Sequence, residues 1–237
     1  MNASIEPHDD VAALQRDVAD SFCDLARETI AARGLFRVSL SGGSTPRRIY
    51  ELLAERDLPW DKIHFFWGDE RNVPHDHEDS NYRMVRQALL DKIGIPADNV
   101  HPVPVDVAAP DRAASAYEAL LRQQFGLPDQ GGALDWDLVL LGMGDDAHTA
   151  SLFPETKALA IEDRLFVENF VPKFDAYRYT MTYPAIESAK QIWFLIAGAA
   201  KRDALRQVLS GEGDVAECPS LRVRPTRWFV DKPAFTG

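Results

Sequence analysis

Leu138-Val139-Leu140-Leu141-Gly142-Met143-Gly144-Asp145-Asp146-Ala147-His148 is the stretch that decides the fold. Four consecutive apolar residues are expected of a strand buried on both faces, the kind that fills a parallel sheet. The abrupt change to glycine, aspartate and histidine marks where that strand stops. The same sign recurs on either side. Phe36–Leu40 and Ile63–Trp67 are short β-type runs upstream, and Tyr179–Thr182, Gln191–Ala197 and Trp228–Val230 follow downstream. Between them lie helical periodicities. Leu14, Val18, Phe22, Leu25 and Ile30 predict a helix over 11–32 with Gly34 as its stop signal. Further helices are expected through Ile49–Leu53, from Ser80-Asn81 through Leu90, over 113–125 and over 199–209. Val100–Val105, with Pro102 and Pro104, is extended but edge-like at best. Strands alternating with helices imply βαβ crossovers, so the expectation is an α/β fold: a three-layer, mostly parallel Rossmann-like sheet with helices on both faces. Pro128-Asp129-Gln130-Gly131-Gly132 reads as a loop inside one domain, and residues 1–237 are expected to form a single α/β domain.

Charge limits the choice of partner. Lys plus Arg is 26 and Asp plus Glu is 37, so the formal charge of the 237 residues is 26 − 37 = −11. That balance argues against nucleic acid and against docking on anionic membranes. An anionic ligand would have to be met by cations gathered locally. The two cysteines, Cys23 and Cys218, do not make a disulfide scaffold, which fits a reducing, cytoplasmic setting. Met1–Pro7 lacks the basic flank and apolar core of a signal peptide, and the longest apolar stretch, Ile192–Ala200, is too short to span a bilayer.

In open parallel sheets, ligands bind outside the carboxyl ends of the strands. Five segments fall there. Ser41-Gly42-Gly43-Ser44-Thr45-Pro46 joins a strand to a helix. Its glycines permit close backbone approach, and free N–H groups beside two hydroxyls make an anion site. It reads equally as a tight turn with Ser44 or Thr45 as helix cap. Arg47 and Arg48 oppose the dipole of that helix, a conflict a bound anion would relieve. In Asp69-Glu70-Arg71, Arg71 can clamp a phosphate and Asp69 can orient or accept a proton, or the triplet is a solvated local ion pair.

His148 is the sharpest candidate for proton transfer, with Asp146 two residues earlier able to fix its tautomer. A structural histidine bonded to backbone is the other reading. Asp145, Asp146 and His148 have no further ligand nearby in sequence, so a metal site is disfavoured. No G-x-S-x-G elbow is present for serine chemistry. Arg178 and Gly198-Ala199-Ala200-Lys201 complete the set, Lys201 being expected in the first turn of a helix.

At these residues the chain resembles the 6-phosphogluconolactonase family, of the short cytosolic type. The segments that carry the resemblance are Ser41–Pro46, Asp69-Glu70-Arg71 with Ser80-Asn81-Tyr82, Gly142-Met143-Gly144 with His148–Pro154, Arg178 with Thr180, and Gly198 with Lys201. They run in family order from about residue 10 to 230. The resemblance implies hydrolysis of 6-phospho-D-glucono-1,5-lactone to 6-phosphogluconate, a fold related to glucosamine-6-phosphate deaminase, and no metal or organic cofactor. It implies His148 as the catalytic histidine and Asp69 as the carboxylate that assists it. Arg71 and Lys201 become substrate-binding cations, Gly43, Ser44 and Thr45 the phosphate-side loop, and Arg178 a binding residue. The expected partner is a small sugar-phosphate lactone, bound by a monomer or weak homo-oligomer. Two other readings are an amino-sugar-phosphate isomerase or deaminase and a non-catalytic sugar-phosphate sensor. The deaminase relatives carry a glutamate soon after the histidine, whereas this chain has Ser151-Leu152-Phe153-Pro154 before Glu155. They also typically have an aromatic where this chain has Arg71. No segment of a DNA-binding or partner module accompanies the sensor reading. The family usually has Asp-Gly-His where this chain has Asp146-Ala147-His148, so a positive φ at Ala147 would carry strain.

Overall fold

The structure, a computed structural model, describes residues 4–236. Met1–Ala3, part of the stretch read against a signal peptide, and Gly237, the far end of the expected domain, lie outside the described residues. The chain opens with β1 (Ser4–His8), α1 (Val11–Arg33), β2 (Phe36–Leu40), α2 (Ser44–Leu53), β3 (Ile63–Trp67), β4 (Asp69–Arg71) and α3 (Asn81–Ala88). It continues through β5 (Val100–His101), α4 (Pro110–Phe125), β6 (Leu138–Leu141), β7 (Phe166–Val171), β8 (Ala176–Met181) and α5 (Tyr183–Glu187). It closes with β9 (Ile192–Ile196), α6 (Arg202–Ser210), β10 (Arg227–Asp231) and α7 (Lys232–Phe235). Local chemistry sets several boundaries. Asp10 accepts from Ala13 N at the start of α1, and Gly34, at φ 83°, ends it. Ser80 caps α3 through Arg83 N.

Seven strands form one parallel sheet in the order β1-β10-β9-β6-β2-β3-β5. Every residue of β6 and β9 is buried, so both faces of the sheet centre are covered, as the apolar runs required. The expected mostly parallel three-layer class holds. From β2 the chain proceeds through β3 to β5 at one edge, then returns to β6 on the other side of β2 and moves on through β9 to β10. The strand order therefore reverses between β2 and β6, and a crevice opens there beyond their carboxyl ends.

A second sheet, antiparallel and ordered β4-β8-β7, was not legible in the sequence. Gly68 joins the two. Its N–H donates to Leu40 O of the large sheet at 3.0 Å, and its carbonyl accepts from Met181 N of the small sheet at 2.8 Å. A Cβ there would lie 3.0 Å from Ser39 Oγ and 3.1 Å from Met181 Cε, so a side chain at the bend would crowd both sheets. Two other readings change. Residues 199–201 form a 3₁₀ turn, and Lys201 stands as the N-cap of α6 rather than inside its first turn. The extended 100–105 stretch pairs only through Val100 and His101, because the prolines beyond cannot supply ladder N–H groups.

The turn that carries Lys201 is fixed from below. Buried Asp231 accepts from Gly198 N at 3.0 Å through each of its oxygens and from Ala234 N at 2.9 Å. Asp231→Ala orphans these donors and should cost roughly 1–3 kcal/mol. Urea unfolding measures it, and a loss below about 0.5 kcal/mol would contradict this account.

Candidate active site

A cavity of about 290 Å³ occupies the crevice. Each wall comes from the carboxyl end of a strand. Ser41, Gly42 and Gly43 follow β2, and Asp69 and Arg71 lie on β4 just beyond β3. Gly142, Met143, Gly144, His148 and Ala150 follow β6, Lys201 follows β9, and Asn81 enters from the start of α3. A larger groove of about 840 Å³ lies elsewhere, between α4, the 127–132 loop and residues 162–165. Its arginines are already engaged, since Arg122 and Arg164 share Glu118. Chemistry rather than size selects the crevice.

The 142–152 loop holds His148 by constraint at every side. Ala147 and Ala150 take left-handed backbone, with φ of 57° and 48°. A left-handed alanine costs about 1–2 kcal/mol. Ser220 offsets it by donating to Ala147 O twice, from N at 3.0 Å and from Oγ at 2.7 Å. Ala147 thus takes the positive φ at which an alanine in place of the family glycine carries strain. Thr149 Oγ1 donates to Gly142 O at 2.9 Å and closes the loop. Phe153 stacks on the imidazole with ring centroids 3.9 Å apart.

His148 Nδ1 lies 2.5 Å from Asp146 Oδ1, and Lys173 Nζ lies 2.8 Å from Asp146 Oδ2. Burial tends to raise the Asp146 carboxyl, but the hydrogen bonds from His148 and Lys173 outweigh it and hold the group well below the usual carboxylate range. An ionised acceptor at Nδ1 puts the ring proton there and leaves Nε2 as the basic nitrogen. Asp146 is therefore the carboxylate bonded to His148. Asp69, which the resemblance placed in that role, borders the same cavity but is held by others. Its Oδ2 accepts from Ser151 Oγ at 2.9 Å, and its carbonyl accepts from Asn81 Nδ2 at 3.0 Å.

The two-residue period of β4 explains the triplet. Asp69 and Arg71 face the cavity, and Glu70 points behind it. There Glu70 receives Arg71 N, Asn81 N, Tyr82 N and Ser80 Oγ at 2.7–3.3 Å. Burial pushes its carboxyl up to about 7, against those three backbone donors. Asn81 leaves room for no side chain at Gly42, where a Cβ would sit 2.0 Å from Asn81 Oδ1.

Two cations without a carboxylate partner, Arg71 and Lys201, line the cavity. Arg71 donates to a carbonyl, Asp79 O, at 2.7 Å, and neither Arg71, Arg178 nor Lys201 lies within 4.0 Å of a carboxylate among the described residues. Arg71 and Arg178 stand directly opposite on β4 and β8, an unfavourable like-charge pair. Burial, and then Arg71, push the Arg178 guanidinium below its ordinary value. Arg178 is not on the cavity wall itself, and neither are Ser44 and Thr45. Gly43 is the N-cap of α2, with φ 103° and no side-chain cap bond, so the capping reading of Ser44 or Thr45 does not hold. Arg47 and Arg48 instead pair with Glu51, which resolves their conflict with the helix dipole locally. Among the described residues no group of three or more His, Cys, Asp or Glu side chains is placed to hold a metal ion, and no helix is long and apolar enough to cross a membrane. Sequence reading missed Asn81 and Lys173 as parts of the site. The Ser80-Asn81 helix start pointed to the first, and nothing local pointed to the second.

The crevice sets a histidine–aspartate pair beside Arg71 and Lys201 at the carboxyl ends of a parallel sheet, an α/β protein with an enzyme-like site. Residues 9–231 match the family described as glucosamine-6-phosphate isomerases/6-phosphogluconolactonase, and the chain belongs to that family. A 6-phosphogluconolactonase of Nostoc sp. is 45% identical over 99% of this chain and 98% of its own. The crystal structure of 6-phosphogluconolactonase from Thermotoga maritima is 32% identical, with a TM-score of 0.83 over 98% of this chain and 100% of that one. The 6-phosphogluconolactonase from Trypanosoma brucei gives 0.86 at 27% identity, over 98% of this chain and 97% of that one.

Two outcomes follow from the geometry. A Cβ on Gly144 would lie 2.0 Å from His148 Nδ1 and 2.4 Å from Asp146 Oδ1. Gly144→Ala should separate that pair and shift the His148 imidazole signals in ¹⁵N NMR, and unchanged signals would contradict the packing. The Asp146 carboxyl, held below its ordinary value of 3.8 in the folded chain, contributes stability above about pH 4 that is lost as pH falls through its lower folded value. Asp146→Asn should therefore lower the unfolding free energy at pH 7, with the gap to the native protein narrowing by pH 3. Denaturant titrations at both pH values check this, and a pH-independent gap would contradict it.

Proposed function

We propose that this chain hydrolyses 6-phospho-D-glucono-1,5-lactone to 6-phosphogluconate, with His148 as general base. The observation that carries the reading is His148 bonded through Nδ1 to an ionised Asp146, on the wall of a crevice that also holds Arg71 and Lys201. The full-length similarity to a protein named 6-phosphogluconolactonase supports the choice of substrate. Nε2 takes a proton from water, and the resulting hydroxide attacks the lactone C1 carbonyl. Asp146 stabilises the imidazolium, and the imidazolium then protonates the departing ring oxygen. Asp69 is fixed by Ser151 and Asn81 as a negative charge on another wall, where it accepts from sugar hydroxyls.

The phosphate goes to the cations. Lys201, Arg71 and, behind it, Arg178 form a positive cluster in a protein of formal charge −11, and a dianion relieves the Arg71–Arg178 repulsion. Gly43, with Ser44 and Thr45 beyond the rim, lies on the phosphate side. Fixing the phosphate orients C1 for attack. In this reading the chain works as one α/β domain in the cytoplasm, as a monomer or weak homo-oligomer. The deaminase reading is disfavoured by Ser151-Leu152-Phe153-Pro154, which stands where those relatives carry a glutamate, and by Arg71 in place of their aromatic.

A general base contributes about 10²–10⁴-fold. His148→Ala should reduce kcat for lactone hydrolysis, after subtraction of spontaneous opening, by at least about 10² while far-UV circular dichroism stays native. Turnover near that of the native protein would refute the assignment.

A further inference from the structure

The tip of the β7–β8 hairpin reaches His148 by two routes. Lys173 lies in its turn, with Nζ 2.8 Å from Asp146 Oδ2 and 3.7 Å from Asp145 Oδ1. The other oxygen of Asp146 holds His148 Nδ1. One carboxylate is thus divided between an imidazole and an ammonium. The next residue, Phe174, meets Phe153 edge to face at 5.6 Å, and Phe153 stacks on the His148 ring. Phe174 is 47% exposed and lies outside the core. Arg178 and Lys173 lie over its ring at 5.2 and 5.8 Å.

We propose that Lys173 is a positioning residue for His148: by occupying one oxygen of Asp146 it keeps the other on Nδ1 and tempers the negative charge that the ring meets. This rests on the reading of His148 as base. An undivided carboxylate would favour the imidazolium more strongly and leave less of the base form near neutrality. The other charges about the ring are Asp69 and Arg71 from β4 and Lys201 ahead of α6, across the cavity. Asp145 faces Lys173 and not the ring, and Arg178 is turned onto Phe174. None of these replaces the ammonium on Asp146.

Lys173 is half exposed, so Lys173→Met keeps the aliphatic stem without opening a core. Its effect is read twice, by ¹⁵N NMR titration of the His148 imidazole and by kcat and KM for the lactone against pH. The expected result is a His148 titration moved to higher pH by about 0.2–0.7 of a unit, the size of an exposed ion pair. The acid limb of kcat moves with it, so kcat on that side falls about two- to fivefold with KM changed less. Lys173→Arg restores both. An unchanged His148 titration in Lys173→Met overturns the proposal, as does a loss of thermal stability with no shift in either profile. Should Lys173→Met not fold, Lys173→Gln gives the same readout. The NMR arm decides the coupling even if the native protein fails to open the lactone, an outcome that would instead overturn the lactonase reading.

Discussion

The short bond between Asp146 and the His148 ring is the interaction on which the site depends. It assigns the ring proton to Nδ1, and everything chemical follows from a free Nε2. Around it the loop after β6 is built with little freedom. Gly144 is glycine because the pair occupies the space of a side chain, and Ala147 keeps its left-handed backbone because Ser220 holds its carbonyl. Loops that carry function are commonly placed by a rigid scaffold, and here the scaffold is the fully buried strand that ends at Leu141.

Electrostatics gives the second half of the account. A chain of formal charge −11 repels anions at a distance, so the positive end of a ligand site must be local and underneutralised. Arg71 and Arg178 face each other across an antiparallel pair at an energetic cost. Arg47 and Arg48, which looked similar in sequence, give their charge to Glu51. The distinction between cations spent on internal pairs and cations held open toward a cavity separates surface chemistry from binding chemistry.

Much of the fold was legible, because apolar runs and their breaks report burial directly. Phe36–Leu40, Ile63–Trp67 and Leu138–Leu141 end where their hydrophobicity ends. The small antiparallel sheet was hidden for a physical reason. Asp69-Glu70-Arg71 is a strand whose alternation is entirely among charged residues, and buried Glu70 is met by donors from the start of α3 and from Arg71 N. At the site, His148, Arg71 and Lys201 were legible from their place after strands. The partner of His148 was legible in the spacing to Asp146, although the resemblance pointed to Asp69. Lys173 was not, since only the return of a hairpin brings residue 173 to residue 146.

The central claim is that one crevice presents an imidazole to a cyclic ester whose phosphate rests on side-chain cations. A crystal structure with 6-phosphogluconate bound tests it most directly. The account predicts the product carboxylate within a water's reach of His148 Nε2 and the phosphate on Lys201 and Arg71. A phosphate bound elsewhere, or a carboxylate turned away from His148, would contradict it.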